Sequence, residues 1–72
     1  SYEKQKDYIK NLYKNEDYMT LERVFRPYFK MMQKSLEKGE IFAEDEEILD
    51  IYIDVLEKTG KTEQKEKIGI LI

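Results

Sequence analysis

Large apolar residues return along this chain at the three- and four-residue spacing of a helix face, not at the alternation of a half-buried strand. From Tyr2 to Lys14, the positions Tyr2, Ile9, Leu12 and Tyr13 share one side, with Tyr8 at its edge. At about 100° per residue they span an arc of roughly 140°, the width of a core-facing stripe. From Asp17 to Lys38 the signal is longest: Leu21, Val24, Phe25, Tyr28, Phe29, Met31, Met32 and Leu36 follow one another at helical spacing. Asp17 or Thr20 supplies a cap for the free amides of the first turn. Lys38 and then Gly39 mark the end, a cation at the negative pole of the helix followed by a residue that tolerates a left-handed backbone. Pro27 interrupts this segment. It lacks an amide donor and crowds the carbonyl four residues back, at a cost of about 3 kcal/mol inside a regular helix. The apolar phase nevertheless runs through it unbroken, so the sequence predicts one kinked helix rather than two short ones.

The third segment runs from about Glu44 to Thr59, with acid in its first turn, Lys58 in its last and Gly60 after it. The fourth, Thr62 to Ile72, starts on Thr62 as a cap and ends in Ile68-Gly69-Ile70-Leu71-Ile72. Asn15-Glu16-Asp17, Gly39 and the Thr59-Thr62 stretch are the only breaks, so the chain reads as a single domain over residues 1–72.

The third segment has an unusually wide apolar arc. Ile48, Ile51, Tyr52 and Val55 share one side while Leu49, Ile53 and Leu56 extend it to about 200°, more than one packed neighbour covers. That width predicts an intermolecular surface through Leu49, Ile53 and Leu56, joined by the aliphatic residues Ile68, Leu71 and Ile72 of the last segment. The rival arrangement folds that last segment back over the same three residues.

Composition narrows the chemistry. Zero Cys excludes disulfides and thiolate metal sites, and zero His removes the usual general base and zinc ligand. Ser1 and Ser35 are the only serines, with no imidazole to activate either. The expectation is therefore no catalytic residue, no metal and no cofactor: a non-enzymatic protein. The acidic run Glu44-Asp45-Glu46-Glu47 offers hard oxygen ligands, but it lacks the spaced ligands and central Gly of a calcium loop and reads as a charged helix start. No apolar run approaches the ~18 residues of a membrane span, and the expected setting is cytoplasmic. Lys outnumbers Arg eleven to two and Ala occurs once, the residue bias of an AT-rich genome.

Charge is unevenly spread. The net of −3 divides into +3 over residues 1–38 and −6 over residues 39–72. On the second segment Arg23, Arg26, Lys30 and Lys34 fall along one line opposite the apolar stripe, a candidate face for an anionic partner. With a sequence pI near 5.0, nucleic acid is not the expected partner. The sequence thus predicts an all-α fold, three main helices plus a short C-terminal one, packed as a small bundle or an interlocked dimer. Its expected role is protein–protein interaction or oligomerisation, as part of a regulator, with a second copy as the leading partner. A nucleic-acid-associated or transcription-regulating domain using the basic face is the alternative.

Overall fold

The computed structural model describes residues 1–43 and 45–72. Among them are four helices and no strand: α1 (Tyr2–Lys14), α2 (Tyr18–Glu37), α3 (Glu46–Lys58) and α4 (Thr62–Leu71). The all-α bundle expected from periodicity is the fold, in one chain.

Three helices end by the same device. After α1, α2 and α3, the third residue beyond the helix donates its amide to the carbonyl five positions back in the closing turn: Asp17 to Leu12, Glu40 to Ser35 and Lys61 to Leu56, at 2.8–3.0 Å. The residue before each donor adopts a left-handed backbone, with φ of 73° at Gly39 and 79° at Gly60. In α1 that position falls on Glu16, with φ of 56°. A side chain there costs roughly 1–2 kcal/mol that glycine avoids, so this turn holds a small strain.

The helix starts differ. Ser1 accepts from the Lys4 amide, Asp17 from the amide and hydroxyl of Thr20, and Asp45 from the Glu47 amide at 2.8 Å. The expected cap at Thr62 is not used. Lys61 occupies the capping position and no side chain there bonds the first-turn amides, because the backbone turn through Gly60 puts Thr62 already inside the helix. Of the expected third segment, Glu44 lies outside the described residues. Helix α2 runs without interruption through Pro27. Pro27 is solvent-exposed, so the Arg23 carbonyl it cannot serve lies on the wet side of the helix, where water can satisfy it.

Helices α2 and α3 form the centre, with α1 and α4 packed against both of them and not against each other. Helix α1 runs in the same direction as α3, since Lys6 meets Asp45 near one end of the pair and Tyr13 meets Asp54 towards the other. The core combines Ile9 and Leu12 of α1, Leu21, Phe25 and Met32 of α2, five residues of α3 and Ile68 of α4. Around Tyr52 the rings of Phe25, Tyr28 and Phe29 close in, with centroids 4.7–5.5 Å from its own. Such edge and tilted contacts add to simple burial. The link between α2 and α3 is held by the Tyr28 hydroxyl donating to the Phe42 carbonyl at 3.1 Å and by contact between the two rings.

This arrangement corrects the reading of α3. Its wide apolar arc is met inside the chain by three neighbours, α1, α2 and α4, not by one. Tyr52, on the apolar side of that segment, is fully buried and sits at the centre of the aromatic cluster.

Candidate interaction surfaces

Of the six residues expected at an intermolecular surface, the fold brings only some to the outside. Leu56 and Ile68 are sealed in the core, at 0% and 1% exposure, because α4 folds back along α3 and sets Ile68 into it. Leu49 and Ile53 are half-buried and pack against the same core. Leu71 and Ile72 remain in contact with solvent, and with them Ile70, which the sequence reading had not singled out: exposures are 41%, 76% and 83%. The expected broad face thus contracts to an aliphatic tip on α4. The cause is local. Ile68 takes the one direction that faces the core, and at about 100° per residue Ile70 is thrown to the opposite side. The signal was legible as a run of aliphatics too dense to share one face.

Arg23, Arg26, Lys30 and Lys34 are all exposed, as their line on α2 requires. Their electrostatic surroundings set them apart. Elsewhere, cations meet carboxylates across helix boundaries: Lys6 lies 2.8 Å from Asp45 and 3.7 Å from Glu47, Lys10 lies 3.2 Å from Glu47, and Lys65 lies 3.2 Å from Glu57. Lys58 reaches Asp54 at 3.3 Å and Lys67 reaches Glu63 at 3.7 Å within their own helices. Among the described residues no ion pair engages the four cations of α2. Asp45, Glu47, Asp54 and Glu57 at the start and along α3 are thus met by α1, α4 and Lys58, while the basic face of α2 keeps its charge.

The seam between α1 and α3 perturbs its titratable groups as bonding to the charged or neutral form requires. Its hydrogen bond to Asp45 raises the pKa of Lys6, and the same contact lowers that of Asp45. Tyr13 donates to Asp54 at 2.9 Å, which holds the phenol in its neutral form and raises its pKa. Lys58 is raised by its bond to the same carboxylate. Tyr52 is also raised, chiefly by burial, and its hydroxyl has no hydrogen-bond partner among the described residues.

Two of the concavities among the described residues bear on binding. One, of about 200 Å³, lies between α1 and α2 and includes Tyr28 and Met31 in its wall. It is below the ~300–1,000 Å³ of ordinary small-molecule sites. Met31 is exposed there, whereas its neighbour Met32 is buried core. The other, of about 640 Å³, lies between the second half of α2 and the start of α4. Among the described residues no group of His, Cys, Asp or Glu side chains is arranged to hold a metal ion, and no helix is long and apolar enough to cross a membrane. No protein-family model, curated protein or solved structure matches the chain.

Proposed function

We propose that this chain is a non-enzymatic helical interaction module whose first partner is a second copy of itself, joined through the aliphatic tip of α4. The observation that supports this reading most is the exposure of three consecutive aliphatics, Ile70, Leu71 and Ile72, at the end of a helix whose root, Ile68, is anchored in the core. Single exposed aliphatics are ordinary on protein surfaces, but a contiguous group of them marks a contact site. Charged residues are sparse there: the nearest in sequence are Glu66 and Lys67, before the buried turn. Burying the tip against a twofold-related tip removes apolar surface from both copies at once. The absence of His and Cys supports a binding role over a catalytic one.

The test is the dependence of mass on concentration. Light scattering of the wild-type chain should give a multiple of 8.8 kDa as concentration rises. The variant Ile70→Asp with Ile72→Asp should retain its helical circular dichroism and remain at one chain mass throughout. A wild-type chain that stays monomeric over the whole range overturns self-association.

A further inference from the structure

The larger groove has a composition suited to one kind of occupant. Its apolar lining comes from Phe29 and Leu36, which are half-buried on α2 and leave part of their surface facing the groove. Three lysines stand around that apolar strip: Lys30 from α2, and Lys61 and Lys67 from the start and middle of α4. Lys61 holds its ammonium 5.2 Å from the centroid of the Phe29 ring, so cation and apolar surface are immediate neighbours. Two carboxylates, Glu37 and Glu63, share the groove, and Glu63 is met by Lys67. Outside the groove, Arg23, Arg26 and Lys34 share the α2 line of Lys30 and have no ion-pair partner among the described residues. Within the groove three lysines face two carboxylates, and the cations of the α2 line add to that excess on a chain whose net charge is −3.

We propose that this groove is a docking site for an acidic amphipathic segment of another protein, a short stretch that sets one or two large apolar side chains against Phe29 and Leu36 and presents Asp or Glu to Lys30, Lys61 and Lys67. Two features select a protein segment over a nucleic acid. A phosphate backbone has no aliphatic group to place against the apolar strip, and Glu37 and Glu63 would repel a continuous line of phosphates. A peptide can space its acids to meet the lysines and avoid the two glutamates. The occupancy follows the helix-in-groove mode, in which apolar anchors supply affinity and charged flanks set orientation and speed of encounter. The unpaired cations of α2 extend the attractive field beyond the groove and steer an acidic partner towards it. None of the residues of the α4 tip lines the groove, so the site stands or falls independently of self-association.

The experiment selects short random peptides from a displayed library on the immobilised intact chain, then measures the best ones by fluorescence anisotropy at low and high salt. Selected sequences should share Asp or Glu flanking one or two large apolar residues, and their affinity should fall with salt. The exposed pair Lys30→Glu with Lys67→Glu, checked for intact helical content, should weaken them by about tenfold or more. Replacing the peptide's apolar anchors with Ser should abolish binding while the acids remain. Four results overturn the proposal: a library that yields no binders, selected peptides without acidic residues, affinities indifferent to the two substitutions, or an oligothymidylate that binds more tightly than the best peptide.

Discussion

In α3 the residues Ile48, Ile51, Tyr52, Val55 and Leu56 recur every three or four positions and all are buried, whereas in α4 Ile68 is buried and Ile70, Leu71 and Ile72 stand in solvent. The two helices draw on the same side-chain types, and phase decides their fate. Recurrence at helical period gathers side chains onto the faces that α1, α2 and α4 present to α3. A consecutive run scatters them around the axis, so the first that fits the core excludes those that follow. Apolar content alone therefore says little about burial, and the exposed remainder of α4 is one part of the molecule with apolar surface to offer.

The largest expected effect breaks this comparison most directly. Leu56→Ala, which hollows a fully buried position, should lower stability by about 3 kcal/mol, within the range of 2–5 seen for such truncations. Ile70→Ala should leave it within about 0.5 kcal/mol. Urea unfolding of the two variants below the association range is the measurement, and equal losses would mean that α4 buries its tip in the isolated chain.

A second variant sharpens the account of α3 by removing its one misfit. The Tyr52 hydroxyl is buried among rings with no described partner, and a stranded group of that kind costs about 1–3 kcal/mol. Tyr52→Phe keeps the ring contacts and discards the hydroxyl, so stability should rise by about 1 kcal/mol. For a domain of this size that is roughly 4–8 °C in melting temperature. A fall would show that the hydroxyl is bonded in solution.

The smallest effect concerns the two helix starts. That of α3 is tied down by Asp45, which caps Glu47 and pairs with Lys6; that of α4 has no side-chain cap. Because the Asp45 pKa lies below the ordinary 3.8, its contribution is present above that pH and is lost as pH falls below 3.8 towards the folded value. Lys6, raised above 10.5, contributes below that pH and loses its contribution as pH climbs through its folded value. Protection of the first-turn amides of α3 against exchange, relative to the intrinsic rate at each pH, should fall on acidification before that of α4 changes, and Lys6→Met should diminish the difference. The pair is half-buried and still in contact with solvent, so the effect is small.

Much of this was legible in the sequence. The spans of α1, α2 and α3 follow from apolar spacing and caps, because Asp17, Lys38, Gly39 and Gly60 act locally on their own turns. The survival of α2 through Pro27 was legible too, since an unbroken apolar phase implies continuous packing. The environment of α3 was not. The arc of Leu49, Ile53 and Leu56 showed that one neighbour could not cover it, but not whether the others belonged to this chain. Counting neighbours is a tertiary property that helical phase leaves open. Tyr52 illustrates the same gap, because its burial depends on Phe25, Tyr28 and Phe29 converging from another helix. The four basic positions were visible as a line, yet their lack of ion pairs emerged only when the acids of α3 were found engaged with α1, α4 and Lys58.

The links between successive helices span residues 15–17, 38–45 and 59–61. Every neighbouring pair in sequence is also a packed pair, and α1 must still reach α3, and α2 reach α4, across one intervening helix. Little chain has to be searched before most contacts can form, and small helical proteins with such local wiring assemble in microseconds to milliseconds. A molecule built this way can lose its fold and rebuild it many times within the lifetime of a cell, so its three-residue turns confer resilience through speed of renewal rather than depth of stability.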